Sequence, residues 1–394
     1  MGIFRIQSNR LIKLFWFLIA ITIRPFIKTR KNRVFFCSYN FNKYACNPRA
    51  ITEYLLENTQ DSYEIYWGFN KSIDTKNIDQ KIHVVKKYSI SYLIALYSSK
   101  FIFNNCRNNI LDSLFIKKKN QKYIQTWHGA FGLKRVEKDA QDNLDKKYII
   151  QAKIDSKMCD LMLSNSKNYS LLLRKSFWYK GLILENCMPR NDIFYDSIKV
   201  LHYYNKIRET LGFSKNSKIV LYAPTFRVDM KLNYYVINWD NVIPSFKKIL
   251  GDDVKILVRL HPNMVSIKGV DMLTNYNNVF DITSYPDITE FLLSADIMIS
   301  DYTSAMFDFV LQNKPCFIYA VDKNMYDRGF YMNLNQLPFP IAETENELIS
   351  NINNFNNSQY RINLQQFKQT YWGVNEDGNG CRRVHEWMEN VIKC

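Results

Sequence analysis

Glycine is scarce in this chain, 12 of 394 residues, and histidine is scarcer, at 5. Collagen-like and glycine-rich low-complexity classes are thereby excluded. No G-x-x-x-x-G-K-[ST] motif occurs, which removes a P-loop nucleotidase. The Gly-Asn-Gly at 378–380 lacks a third glycine and follows no strand-like run, so it is not a dinucleotide fingerprint. G-x-S-x-G is absent, and so is D-x-D, the pattern with which many sugar transferases clamp a metal. None of the 8 cysteines forms a C-x-x-C pair, which argues against a zinc site or disulfide framework and for a reducing cytoplasm. No apolar stretch reaches the ~18 residues that a membrane-spanning helix requires.

What is present is ordinary for a globular protein with true cores: 47% apolar and 23% charged residues. The length predicts two or three domains. The net charge of +16 is unevenly placed, because residues 1–33 carry Arg5, Arg10, Lys13, Arg24, Lys28, Arg30, Lys31 and Arg33 and no acid. Within them, Leu14 to Ile23 reads LFWFLIAITI, ten residues without a charge. At ~1.5 Å per residue such a helix is too short to cross a ~30 Å hydrocarbon core. No small-residue cleavage site precedes Arg24-Pro25, so the segment is expected to lie in the interface, with Trp16, Phe15 and Leu18 at the headgroup boundary and cations on anionic lipid. The competing reading is a first helix packed on its domain.

From residue 34 onward, short apolar runs alternate with helical stretches. The first series of strand-like runs is 34–39, 64–69, 81–85, 101–105, 123–128 and 161–166; the second is 218–226, 254–262, 297–302 and 315–319. Helical patterns lie between them at 47–58, 89–99, 167–177, 241–250, 287–295 and 304–313. This alternation predicts parallel sheets covered by helices, and two series predict two Rossmann-like domains. The expected division is a membrane-association segment at 1–33, an N-terminal domain at 34–200, a C-terminal domain at 201–375 and a final helix at 376–394.

Ligands of open α/β sheets bind at the carboxyl ends of the strands. His128, Thr225, Arg227, His261 and Asp301 all fall at such ends. In QTWHGAFGLKR (125–135), Gly129 lets a ligand approach the backbone, Lys134 and Arg135 suit an anion, and an imidazole can take a proton from a hydroxyl near neutral pH. LYAPTFR (221–227) ends its strand at Pro224 and presents Thr225 and the forked donor Arg227. In VRLHPNM (258–264), Arg259 and His261 share one strand face. In SADIMISDYTSAMFDF (294–309), Asp301 ends a strand, Tyr302-Thr303 turn, and Ser304 is expected to open an amphipathic helix whose N-terminus favours an anion. The other histidines, 83, 202 and 385, read as core or surface residues.

Together WHG (127–129), PRND (189–192), APTFR (223–227), RLHP (259–262), ADIMISDYTSAMFDF (295–309), KPCFIY (314–319) and YDRGFY (326–331) resemble the CDP-glycerol glycerophosphotransferase family of teichoic-acid and related polymer synthesis. The resemblance runs over roughly residues 120–335. It departs from the family pattern at Cys187, where glycine is usual, at Ala130-Phe131-Gly132, where Thr-Pro usually follows WHG, and at Thr303, which keeps the usual hydroxyl. It implies a GT-B-type pair of domains facing across a cleft. It implies His128 as base and His261 as a second catalytic group. Thr225, Arg227, Arg259, His261, Asp301, Thr303 and Ser304 would surround the CDP donor, and Gly129, Lys134, Arg135, Arg190 and Asp192 would lie on the acceptor side.

The expected reaction is transfer of glycerol phosphate, or a related polyol phosphate, from CDP-glycerol to a hydroxyl of a lipid-linked glycan or polymer acceptor, with CMP leaving. The alternative is a GT-B glycosyltransferase with a nucleotide-sugar donor. A nucleic-acid partner is not expected, because no recognised motif accompanies the charge. No residue pattern indicates a cofactor, a metal ligand set or Mg2+. The expected location is peripheral, on the cytoplasmic face of the membrane. The length resembles a priming or single-transfer enzyme more than the long polymerases.

Overall fold

The computed structural model describes residues 2–129, 131–227, 229, 231–261, 264, 267, 269–323, 326 and 329–393, with side chains from residue 10 onward. Pro262, Asp327 and Arg328 of the sequence motifs, Ala130, and the Arg5 side chain of the basic cluster lie outside the described residues. Two compact units are present. The first comprises Met1–His128, Val136–Asp192 and Asn375–Cys394, and the second Gly129–Arg135 and Ile193–Val374.

The first unit is built on a parallel sheet of β1 (Arg30–Phe36), β2 (Glu64–Phe69), β3 (His83–Lys86), β4 (Ser99–Asn104), β5 (Lys122–Gln125), β6 (Leu161–Leu163) and β7 (Leu182–Leu184), in the order β3-β2-β1-β4-β5-β6-β7. Its strands are near-continuous apolar runs because helices cover both faces. Phe36 stacks between Trp67 and Phe103, at 5.8 and 4.8 Å between ring centroids. The final helix, Gly380–Lys393, closes this core with Cys381, Val384 and Met388. Asp192 holds its start, accepting from the Gly380 and Cys381 amides at 2.8 and 2.7 Å. Cys187, where the family pattern has glycine, is fully buried and points its thiol at the Gly380 carbonyl at 3.3 Å.

The second unit carries β8 (Lys218–Tyr222), β9 (Val254–Val258), β10 (Val279–Asp281), β11 (Ile297–Ser300), β12 (Cys316–Tyr319) and β13 (Ile341–Ala342), all parallel, in the order β10-β9-β8-β11-β12-β13. Both sheets have the strand reversal of a doubly wound fold. The reversal falls between β1 and β4 in the first and between β8 and β11 in the second.

Two expectations change at the N-terminus. The helix α1 (Gly2–Ile23) is 22 residues long rather than ten, because the polar residues before Leu14 continue it. β1 begins at Arg30, so the last cations of the basic cluster belong to the sheet: Arg33 is 7% exposed and pairs with Glu64. Lys13 likewise pairs with Asp112 at 2.7 Å. Ala20 is buried, while Leu11, Leu14, Phe15 and Leu18 are exposed. Among the described residues no helix is long and apolar enough to cross a membrane.

Candidate active site

His128 sits three residues past the end of β5, and the path there is set by Gln125. This buried side chain donates to the Cys106 carbonyl at 2.7 Å and accepts from the Trp127 amide at 3.0 Å. The amide bond turns the chain out of the strand, and Trp127 takes a left-handed φ of 52°, costly for a bulky residue. Its surroundings hold it there. Asn47, fully buried, donates to the Thr126 and Trp127 carbonyls at 3.3 and 3.1 Å and accepts from the Arg190 amide at 3.0 Å. The Trp127 ring meets Phe177 edge-on at 4.8 Å and lies under the Arg107 guanidinium at 5.6 Å.

Arg107 is itself buried, paired with Glu137 at 2.8 Å and Asp155 at 3.0 Å. Burial alone would lower its pKa; Glu137 and Asp155 outweigh that and hold it above the ordinary arginine range. Burial pushes the Asp155 carboxyl up, and Arg107 and the Tyr123 hydroxyl offset this only in part.

On this support His128 approaches the Asn105 carbonyl, Nδ1 to oxygen 2.7 Å. A carbonyl only accepts, so Nδ1 carries a proton, and in the neutral imidazole the lone pair is on Nε2. Asn105 follows β4, and its Oδ1 accepts from the Tyr39 amide beyond β1 at 2.8 Å, so it bridges the point of strand reversal. The buried Asn105 Nδ2 has no partner among the described residues.

The second sheet has an ionic construction at the equivalent place. Asp301, after β11, accepts from the Thr225 amide beyond β8 at 2.8 and 3.0 Å. It also pairs with Arg227 at 2.8 Å, and Arg227 reaches Asp322 with Nε and Nη2 at 2.6 and 2.8 Å. Tyr302 donates its hydroxyl to Asp322 at 2.9 Å and lays its ring against the guanidinium at 4.8 Å. Arg227, Asp301 and Asp322 are 6%, 2% and 4% exposed. Burial would raise the Asp322 carboxyl, but Arg227 holds it below the ordinary range. The Thr225 Oγ1 is buried beside this network with no partner among the described residues.

Arg259 donates to the Ile282 and Tyr285 carbonyls at 3.1 and 2.8 Å and fixes the loop after β10. His261 is exposed, its ring 5.0 Å from Phe226. Thr303 accepts from the Ala305 amide at 3.3 Å, whereas the Ser304 side chain caps nothing. The helix expected over 304–313 is an α-helix of only five residues, Ala305–Phe309, followed by a 3-10 turn, Val310–Gln312. Its dipole is correspondingly small, so that terminus attracts an anion only weakly.

Gly129, Lys134 and Arg135, expected with the N-terminal domain, pack in the second unit. Lys134 bridges antiparallel to Phe330, and the Arg135 amide donates to the Gly329 carbonyl at 3.1 Å. Phe131, the departure after Trp-His-Gly, joins an aromatic cluster with Phe307 at 4.2 Å and Trp372 at 6.0 Å. Arg190 and Asp192 remain in the first unit, Arg190 9% exposed and Asp192 spent on the final helix. Sequence reasoning missed Gln125, a buried strand residue beside the turn it sets, and Asn47, Arg107, Glu137, Asp155 and Asp322, whose side chains are buried partners distant in the chain from the residue each steadies.

Two doubly wound parallel sheets, each with polar side chains at its strand reversal, define a GT-B-like fold. The chain belongs to the CDP-Glycerol:Poly(glycerophosphate) glycerophosphotransferase family, whose sequence model matches residues 19–390. It is 29% identical over 377 residues to a teichoic acid poly(glycerol phosphate) polymerase of Staphylococcus epidermidis, covering 91% of this chain and 51% of that protein, so it spans about half that relative's length. It is 28% identical to a teichoic acid poly(glycerol phosphate) polymerase of Bacillus spizizenii, over 93% of this chain and 94% of that one. A solved structure of the wall teichoic acid polymerase TagF, a His-to-Asn variant with CDPG, superposes with a TM-score of 0.80 at 26% identity, covering 98% of both chains.

Proposed function

We propose that the protein transfers glycerol phosphate from CDP-glycerol to a hydroxyl of a membrane-bound glycan or lipid-linked acceptor in teichoic-acid-type polymer synthesis. The acceptor oxygen forms a new bond to the glycerol-bearing phosphorus, the bond from that phosphorus to the bridging oxygen breaks, and CMP leaves with the electron pair. The acceptor proton goes to Nε2 of His128. The observation that carries this reading, within the family match, is the 2.7 Å contact of His128 Nδ1 with the Asn105 carbonyl, which leaves Nε2 as the basic nitrogen. Asn47 and the buried Arg107 group position that imidazole.

On the donor side, His261, the unpartnered Thr225 hydroxyl, Thr303 and Ser304 are the groups we assign to the diphosphate. Arg227 has both edges of its fork on carboxylates, so we assign it to holding Thr225 and Asp301 in place. Little covalent chemistry falls to the protein in phosphoryl transfer; positioning and charge stabilisation do most of the work. We assign the enzyme to the cytoplasmic face of the membrane. Leu11, Leu14, Phe15 and Leu18 recur at helical spacing on the exposed side of α1, which suits an interfacial helix.

The test is nucleotide release by the purified protein with a lipid-linked acceptor and, in separate reactions, CDP-glycerol, CDP-ribitol and UDP-sugars. CMP released from CDP-glycerol only when acceptor is present is expected. Turnover of a UDP-sugar without turnover of CDP-glycerol would overturn the assignment.

A further inference from the structure

Below α1 the chain makes a 3-10 turn, Arg24–Phe26, beside the loop at 117–120. Between them lies a cavity of about 580 Å³, within the range of small-molecule sites. Its walls include Arg24, Lys28, Lys118 and Lys119. Arg24 donates to the Ile116 and Lys117 carbonyls at 3.0 and 2.9 Å, and Lys118 donates to the Tyr97 carbonyl at 3.0 Å and to that of Ile27. These bonds seat two cations close together, and carbonyls carry no charge to balance them.

Among the described residues no carboxylate forms an ion pair with any of the four. Neighbouring cations do find one: Lys117 pairs with Asp160 at 2.7 Å and Lys13 with Asp112 at 2.7 Å. Burial first, and then Arg24, hold Lys118 below the ordinary lysine range, and nothing acidic offsets them. A partly enclosed group of like charges with no counterion is costly, and an anion entering it gains what the protein has not supplied. A second feature says which anion. Phe26, at the same cavity, is 85% exposed, and the outward face of α1 ends just before it.

We propose that this cavity binds the phosphate of an anionic lipid headgroup, with Phe26 entering the acyl boundary beside it. A free phosphate would satisfy the cations but would give Phe26 nothing to bury. The proposal rests on the membrane reading of α1 and adds to it a defined headgroup site.

Vesicle sedimentation with the full chain tests it, using phosphatidylglycerol and phosphatidylcholine vesicles at physiological salt. Lys28 and Lys119 are exposed, so Lys28→Gln/Lys119→Gln leaves the fold intact. At about fivefold per cation, this pair should bind phosphatidylglycerol vesicles about 25-fold more weakly than wild type. A control pair outside the cavity, Lys175→Gln/Lys180→Gln, should lose less than threefold.

Binding by the cavity pair within twofold of wild type overturns the site, and so does an equal loss in the control pair, which would mark a general charge effect. Calorimetry with glycerol phosphate in solution separates the sources of phosphate: binding as tight as to vesicles, lost in the cavity pair, overturns the lipid assignment. Leu14→Ser/Phe15→Ser reads the membrane role of α1 independently. If it retains vesicle binding while the cavity pair loses it, the helix reading fails and the site stands; the opposite pattern removes the site and keeps the helix.

Discussion

At the strand reversal of each sheet a side chain crosses from one half to the other, and the two crossings differ in kind. In the first unit the crossing group is an amide, Asn105, which accepts from the Tyr39 amide and turns its carbonyl to His128. In the second it is a carboxylate, Asp301, which accepts from the Thr225 amide and grips Arg227. The first rim sets a backbone carbonyl against His128 and pairs its buried ions, Arg107 with Glu137 and Asp155, beneath Trp127. The second places the ions in the rim itself, where one guanidinium and two carboxylates lock the loops together. On the proposed reading, the same topological position serves an acid–base group in one case and a rigid frame in the other. Function follows the side chains set on the fold, not the fold.

The largest effect that sharpens this contrast is expected at His128. His128→Ala should lower CMP release about 10²–10⁴-fold while CDP-glycerol affinity by calorimetry stays near wild type. Near-normal turnover would remove His128 from the chemistry. Arg227→Ala should act mainly on the frame. It leaves Asp301 and Asp322 buried without a counterion, a loss of about 3–5 kcal/mol in denaturant unfolding, accompanied by weaker donor binding. Unchanged stability with weakened donor binding would instead return Arg227 to direct contact with the diphosphate.

Asn47→Ala strands two carbonyls and an amide beneath the first rim. A stability loss of about 1–3 kcal/mol is expected, with kcat falling and donor affinity unchanged. Equal falls in kcat and in donor affinity would break the assignment of Asn47 to the His128 side. The smallest effect is expected from Thr225→Val, which keeps the shape and removes the unpartnered hydroxyl. Donor affinity should fall about five- to tenfold, the worth of one hydrogen bond, with thermal stability equal or higher. Unchanged affinity would take that hydroxyl out of the donor site.

The longer strands were legible because each is an apolar run of at least four residues between turn signals. β7, β10 and β13 were not, since two or three residues show no period; β6, equally short, was legible only as part of the longer 161–166 run. His128 and Arg227 were legible as polar residues at strand ends. Their supports were hidden because chain separation hides them: Asn47 reaches Thr126 across 79 positions and Arg227 meets Asp322 across 95, and although Asp301 was legible as a strand end, its pairing with Arg227 across 74 positions was not. The length of the helix at 304–313 was not legible, because the apolar periodicity continues through the 3-10 turn and does not distinguish the two windings over three residues. The placement of 129–135 was not legible either, because in the sequence Phe131 is one more apolar residue, and only the fold brings it to the cluster around Phe307.

The final helix brings a consequence for how the chain folds. Asp192 meets Gly380 across 188 positions, so the first sheet cannot complete its covering layer until the whole second unit has been synthesised. At translation speeds of about 5–20 residues per second, the nascent sheet waits roughly ten to forty seconds with the sites of Cys381, Val384 and Met388 unfilled. A helper protein that shields apolar surface during that interval should raise the yield of soluble enzyme, and one that acts only after release should not.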